Sequence, residues 1–253
     1  MKSLTGTRIG LVFLVCLTLS LSCSDKVTMR THSEEFMFTI NGVLVKDMNL
    51  SKDIAYFTIL RDGNPFDSAV VQADTHTLTN QGNGNYYKEG PSLFGFGQNV
   101  SVAVTSSGDD FTTEAWLVIP AALRIEELGL PGDTLNPGGE AVPVTWTSSA
   151  NASGYLLSVV TPDTIPPVVG YAEVVKGLEE TIPVEAFRTT QGKLIEGVYE
   201  VYLVAYHSGF PEFPGIAFEL PEGLPSGNLE EANGTIGAGV IAEKKRIRVK
   251  VES

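Results

Sequence analysis

The sequence predicts an all-β protein made of two β-sandwiches in series that follow a secretory signal peptide. From Phe36 onward, short runs of alternating or β-branched residues are bounded by turn residues. No stretch after the leader keeps helical apolar spacing for long enough to form a stable helix. The chain has 26 glycines and 14 prolines with 43% hydrophobic residues, which is typical of a folded protein with many turns.

Residues 1–22 have the composition of a signal peptide. Lys2 and Arg8 make its start positive, and residues 9–21 form an almost uninterrupted apolar run. This run is too short to cross a bilayer, because a spanning helix needs about 20 residues. We therefore expect the leader to be removed.

Cys23 follows the leader directly. The only other cysteine, Cys16, leaves with the leader, so the mature chain would hold one thiol and no internal disulfide. Residues 19–23, Leu-Ser-Leu-Ser-Cys, resemble a bacterial lipobox, although the family usually has Leu where this chain has Ser20. The resemblance implies a diacylglyceryl thioether on Cys23 and an acylated amino group, which together anchor a protein stably. The alternative is an ordinary leader that leaves Cys23 as a free thiol.

Residues 23–35 are interpreted as a lipidated tether, because they are polar and precede the first predicted strand. Ser24 rather than Asp follows the cysteine. By resemblance to the sorting of enteric lipoproteins, this residue implies the outer membrane, on either its periplasmic or its surface face.

The charge of the chain argues against nucleic acid as a partner. The sequence has 17 Lys and Arg against 30 Asp and Glu, and without Lys2 and Arg8 the mature net charge is -15. Such a field repels phosphate backbones. The one basic run, at 244–250, alternates with Ile247 and Val249 and is interpreted as the polar face of a final edge strand.

The first predicted sandwich covers residues 36–121. Its predicted strands are 36–45, 54–61, 68–73, 85–88, 99–105 and 112–119, and its predicted turns are 62–65, 80–84 and 106–109. In the last strand the odd-numbered residues from Phe111 to Ile119 share one face, while Trp116 points to the other.

Three motifs of this segment resemble immunoglobulin-like modules akin to carboxypeptidase regulatory domains. They are the turn Gly63-Asn64-Pro65, the strand Asp67-Ser68-Ala69-Val70-Val71 and the hairpin Gly84-Asn85-Tyr86. These motifs encode turn geometry, so the resemblance implies a fold and no reaction.

The second predicted sandwich covers residues 122–253, after Pro120 closes the preceding strand. Residues 199–207 follow the Tyr-x-Val-x-Val-x-Ala-x-Asn pattern and resemble strand F of fibronectin type III domains, with Leu203 and His207 as departures. The resemblance implies a core position for Trp146 and a corner role for Tyr199, whose hydroxyl would bond to upstream backbone. Three alternating rows are expected to face the core: Val142, Val144 and Trp146; Tyr155, Leu157 and Val159; Tyr199, Val201, Leu203 and Ala205.

Residues 208–239 form an insertion where that family has a short turn. Four prolines between 210 and 225 forbid a helix or a central strand, yet Phe210, Phe213 and Phe218 are too apolar for a solvated linker. Either the segment covers an open end of the second sandwich, or part of it stays exposed as a patch that binds a partner. Phe210, Phe213 and Phe218 are therefore candidate binding residues.

The sequence contains no recognisable catalytic or metal-binding constellation. His32, His76 and His207 lie far apart and in none of the spacings that place two ligands on one face. Asp62, Asn64 and Asp67 could offer oxygens to Ca²⁺, but they lack the alternation and the terminal Glu of a dedicated loop, so we interpret them as a turn. We expect no cofactor and no metal.

Three functional hypotheses follow. The whole pattern resembles two-domain envelope lipoproteins of Bacteroidetes-like bacteria, which favours a non-catalytic interaction or spacer module with an envelope protein as partner. The alternative is polysaccharide binding by an aromatic platform that includes Trp116 and Tyr87, with Tyr86, Phe94 and Phe96 nearby in sequence. Packing in the core is the simpler interpretation of these aromatic residues. An enzyme of unidentified activity is the second alternative.

Lipidation provides the first test. Metabolic labelling with a fatty-acid analogue should mark the wild-type protein and fail to mark Cys23→Ala, and the variant should leave the membrane fraction, because the acyl chains provide the anchoring free energy. Label retained on Cys23→Ala would contradict the assignment of the lipobox.

Overall fold

The fold is all-β, as the sequence predicts. The structure is a computed structural model, and it describes residues 37–136, 139, 141–161, 168–189, 191–214, 216, 218, 220 and 232–251. These residues form strands and two short 3₁₀ turns, Pro131–Asp133 and Val184–Phe187, with no α-helix among them. The predicted leader, the tether, Cys23 and His32 lie outside the described residues.

Nine strands come from the first predicted sandwich. They are β1 (Phe38–Asp47), β2 (Lys52–Arg61), β3 (Asn64–Pro65), β4 (Val70–Ala73), β5 (His76–Thr77), β6 (Thr79–Gly82), β7 (Asn85–Gly90), β8 (Asn99–Ser106) and β9 (Phe111–Val118). All six predicted strands of this segment are confirmed, with ends shifted by one or two residues.

The predicted turn at 80–84 is partly wrong. Residues up to Gly82 belong to β6, and the chain reverses at Asn83 and Gly84, which both have positive φ. An Asn-Gly pair favours this backbone because its twist matches that of the flanking strands. The hairpin is therefore tighter than the glycine-rich sequence suggests.

Nine further strands follow among the described residues after residue 122. They are β10 (Ile125–Leu128), β11 (Thr134–Leu135), β12 (Val142–Trp146), β13 (Gly154–Thr161), β14 (Val168–Val175), β15 (Glu179–Ile182), β16 (Gly197–Ser208), β17 (Ile236–Ile241) and β18 (Lys245–Val249). Of the basic residues, Lys245, Arg246 and Arg248 lie on β18, as predicted. The expected edge position is wrong, because β11 pairs with the far side of β18.

The three predicted inward rows are confirmed. Their ten residues are buried and belong to one apolar cluster. Trp146 lies in this core, and its ring is 5.7 Å from that of Tyr155. The Tyr199 hydroxyl donates to the carbonyl oxygen of Ile195 at 3.1 Å, as the corner tyrosine should.

Strands from both predicted sandwiches share one large sheet. Its order is β11-β18-β16-β17-β1-β2-β7-β6, with β13 paired to β16 and β14 paired to β13, while two smaller sheets have the orders β5-β4-β8-β9 and β10-β12-β15. The junction is the parallel pairing of β1 with β17, in which Gly42 lies opposite Ile236 and Asp47 opposite Ile241. The sheet thus continues across the predicted boundary near residue 122, and residues 36–253 cluster as one compact unit. The division into two domains stays a prediction.

Both faces of the central strands are buried. One face belongs to the main cluster, and the other is covered by the start of the insertion in a second cluster. This second cluster contains Val43, Val45, Ile54, Leu156, Val160, Tyr202, Val204, Tyr206, Phe210, Phe213, Phe218 and Ile241. Phe210, Phe213 and Phe218 therefore pack onto the large sheet.

Glycines on β17 allow the insertion to lie directly on the strand. A Cβ at Gly237 would overlap the carbonyl oxygen of Gly209, and a Cβ at Gly239 would overlap the ring of Phe210. The Gly209 amide also donates to the Ile236 carbonyl at 3.0 Å, which holds the backbone in place. The contact therefore has no room for a side chain.

We expect Gly237→Ala to destabilise the protein by about 1–3 kcal/mol, because the new methyl meets fixed backbone rather than a flexible side chain. The melting temperature, measured by circular dichroism, should fall by roughly 2–4 °C per kcal/mol. Gly108→Ala is the control, since a Cβ at Gly108 meets open space. Equal melting temperatures for the two variants would contradict the close approach.

Candidate functional site

The candidate site is a groove between the large sheet and the start of the insertion. Its volume is about 490 Å³, which is within the range of small-ligand sites. Strands β1 and β2 provide its floor, and residues 211–214 and 216 provide its wall. The lining residues are Asn41, Tyr56, Thr58, Pro211, Glu212, Phe213, Pro214 and Ile216.

The floor is polar because the outward positions of three neighbouring strands carry amides and hydroxyls. Asn41 on β1 lies opposite Thr58 on β2, and Thr58 lies opposite Asn85 on β7. Along the same face the next pair is Val43 and Tyr56, which belongs to the second apolar cluster. The groove therefore lies where the apolar cover of the sheet ends.

Hydrogen bonds hold the floor in one arrangement. The Tyr56 hydroxyl donates to Asn85 Oδ1 at 2.7 Å, and Thr58 Oγ1 lies 3.1 Å from both of these atoms. The backbone amide of Thr235 donates to Asn41 Oδ1 at 2.9 Å. Asn41 Nδ2 has no hydrogen-bond partner among the described residues, so this side chain keeps two donors for a ligand.

The wall combines apolar surface with one carboxylate. Phe213 is buried and meets Phe210 edge to face, with ring centroids 6.0 Å apart. Glu212, beside it, is exposed. None of the lining residues is a cation, a histidine or a cysteine. The groove can therefore donate and accept hydrogen bonds and pack against apolar faces, and its lining holds a single carboxylate.

The candidate residues Phe210, Phe213 and Phe218 are buried, with 1%, 6% and 5% of their surfaces exposed. Their burial agrees with the covering role, but they cover the outer face of the large sheet rather than an open end of the second sandwich. Of the three, only Phe213 also lines the groove.

The other predicted aromatics do not form one platform. Trp116 is 67% exposed on β9 of the four-stranded sheet, whereas Tyr87 on β7 packs against the second cluster of the large sheet. Burial and then the Glu89 carboxylate, which accepts from its hydroxyl at 2.5 Å, raise the pKa of Tyr87 to about 12. Tyr86 and Phe94 are buried, and Phe96 is exposed. Trp116 and Tyr87 are separated because β9 and β7 belong to different sheets, and strand alternation sends Tyr86 and Tyr87 to opposite faces.

His76, His207 and the predicted turn residue Asp67 all make hydrogen bonds to backbone groups. His76 Nε2 lies 3.2 Å from the carbonyl oxygen of Leu93, and His207 Nδ1 lies 3.0 Å from that of Asn151. Asp67 Oδ1 accepts from the Gly84 amide at 2.7 Å. Across the described part of the chain, no three His, Cys, Asp or Glu side chains gather to hold a metal ion.

An ion cluster around the buried Glu200 lies on the face of the large sheet that carries the second apolar cluster. Glu200 on β16 accepts from Lys244 Nζ at 2.6 Å, from the Tyr202 hydroxyl at 2.8 Å and from Arg246 at 3.1 Å. Burial by itself would raise the pKa of Glu200, but these three donors outweigh it and lower the pKa below the usual 4.5. The Tyr202 ring lies 5.2 Å from that of Phe218, so the cluster adjoins the covering segment.

No protein-family model matches the chain, and no curated protein matches it either. The resemblances named above therefore depend on motifs and on the strand pattern alone. In the described part of the chain, no helix has the length and apolarity needed to cross a bilayer.

The ion cluster gives a pH-dependent prediction. Because folding lowers the pKa of Glu200, its stabilising effect is complete above the unfolded pKa near 4.5 and is lost as pH falls through the folded pKa. Glu200→Gln should lower the free energy of unfolding by about 1–3 kcal/mol at neutral pH, and this difference should shrink below pH 4.5.

Urea denaturation at several pH values measures this difference. Glu114→Gln removes an exposed carboxylate from β9 and is the control, expected to change stability by less than about 0.5 kcal/mol. A Glu200→Gln effect that stays constant as the pH is lowered would contradict the assignment.

Proposed function

We propose that the mature protein is a non-catalytic lipoprotein of the cell envelope, anchored at the outer membrane through lipid on Cys23, and that it acts as an interaction or spacer module. The observation that carries the proposal is the parallel pairing of β1 with β17. This pairing makes the N-terminal and C-terminal strands parts of one sheet, so a load or a bound partner at one end is connected to the other end through backbone hydrogen bonds.

The position of the first strand supports a role close to the membrane. β1 begins at Phe38, fifteen residues after Cys23. A chain of that length reaches at most about 50 Å when fully extended. The first strand would thus begin within that distance of the bilayer surface, which suits a spacer or a docking partner for other envelope components.

The strong negative charge supports a protein or neutral polymer as the partner. A mature net charge of -15 repels anionic lipid headgroups, so the sandwich itself would remain off the membrane surface. The groove carries no pair of groups suited to acid and base catalysis, which supports binding rather than turnover.

The shared sheet predicts one cooperative unfolding transition in scanning calorimetry, with equal calorimetric and van't Hoff enthalpies. Tyr86→Phe, which loses the bond to the Phe66 carbonyl, and Tyr199→Phe, which loses the bond to Ile195, should both shift that single transition downward. Two transitions, each moved by only one variant, would contradict a rigid module.

A catalytic role would contradict the proposal more directly. Purified residues 24–253 would then turn over a defined substrate, and one substitution among Glu212, His76 and His207 would abolish the rate. We expect no turnover that depends on any of these three side chains.

A further inference from the structure

We propose that the groove between β1, β2 and residues 211–214 and 216 binds a neutral saccharide chain. The inference goes beyond the function proposed above, because it gives the module a ligand class and a binding site. It does not depend on the lipid on Cys23.

The polar floor matches the hydroxyl edge of a sugar. Asn41 is held by the Thr235 amide through its oxygen, so its Nδ2 points its two hydrogens away from that bond, and these have no partner among the described residues. Thr58 and Tyr56 add hydroxyl groups that can accept a further bond, since each oxygen has two lone pairs. A vicinal pair of sugar hydroxyls can accept from an amide and donate to such oxygens at the same time.

The wall supplies the two other features that a saccharide needs. The exposed Glu212 carboxylate can accept from two hydroxyls, and bonds to a charged acceptor are the stronger kind. Phe213, Pro214 and Ile216 present apolar surface on the same side, which fits the C–H face of a pyranose ring. The groove therefore has polar groups on its floor and an apolar wall, as a ring with polar edges and apolar faces requires.

The charges of the groove and of the whole chain favour a neutral ligand. None of the lining residues is cationic, and the mature chain has a net charge of -15, so a phosphate, sulfate or uronate polymer would meet repulsion without a compensating ion pair. A polyamine could be attracted to Glu212, but the other seven lining residues carry no charge to match it. We therefore favour the neutral class.

The exposed Trp116 is the competing location for a sugar. It projects from the outer face of the four-stranded sheet, opposite Ser101 on β8, with the exposed Glu114 two residues away. The groove, by contrast, has both a floor and a wall. Trp116 therefore serves as the internal control for the location of binding.

Isothermal titration calorimetry tests the proposal on residues 24–253, which include the whole compact unit that begins at residue 36. The probes are maltohexaose, cellohexaose, xylohexaose and mannohexaose, with spermidine and oligogalacturonate as charged probes. We expect at least one neutral hexasaccharide to bind with a dissociation constant of ~1 mM or lower. Glu212→Ala should weaken binding roughly tenfold and Thr58→Val roughly threefold, because each removes hydrogen-bonding capacity without filling the groove.

The controls separate the alternatives. Trp116→Ala and Glu114→Ala should leave the affinity unchanged, and the melting temperatures of the groove variants should stay close to that of the wild type. No binding by any neutral probe, binding of spermidine alone, or loss of binding in Trp116→Ala with retention in Glu212→Ala would each overturn the proposal. Hydrolysis of a bound saccharide would instead contradict the non-catalytic function, so the two failures are distinguishable.

Discussion

The parallel pairing of β1 with β17 is the constraint on which the rest of the structure depends. It places strands from the two ends of the described chain side by side, with Ile40 and Gly42 amides donating to the carbonyls of Asn233 and Thr235 at 2.8 and 2.9 Å. One face of the joined strands packs in the main apolar cluster, and the opposite face is also apolar. Exposing that face would cost about 25 cal/mol for each Å² of apolar surface, so it needs a cover.

The covering segment provides both stability and the candidate site. Phe210, Phe213 and Phe218 bury the apolar outer face, and the glycines of β17 let the backbone approach closely enough for this packing. The cover ends beside Asn41 and Thr58, where the floor of the sheet becomes polar. The groove is therefore the edge of a packing contact, and its position follows from how far the apolar residues of the insertion extend along the sheet.

Two buried carboxylates, Asp53 and Glu200, are each paired with cations. Lys46 Nζ donates to Asp53 at 2.8 Å and to the Phe94 carbonyl at 2.6 Å, which ties the loop that carries Phe94 to the first hairpin. Glu200 is matched by Lys244 and Arg246 next to the covering segment. Such pairs compensate for lost hydration without leaving a group free to react. Glu212 in the groove differs from them because it is exposed and makes no ion pair within the described residues.

The sequence by itself determined where most strands lie and which way their side chains point, because a period of two places Val142, Val144 and Trp146 on one face whatever the partner strand is. It also indicated that the insertion must bury its phenylalanines. Only the tertiary structure decided that β1 pairs with β17 and that Asn41, Tyr56 and Thr58 line a groove. The sequence carried only a weak indication of the groove, namely polar residues at outward positions of two strands. Backbone hydrogen bonds between strands form in the same way whatever side chains the strands carry. Pairing between strands nearly 200 residues apart therefore produces no local sequence pattern that predicts it.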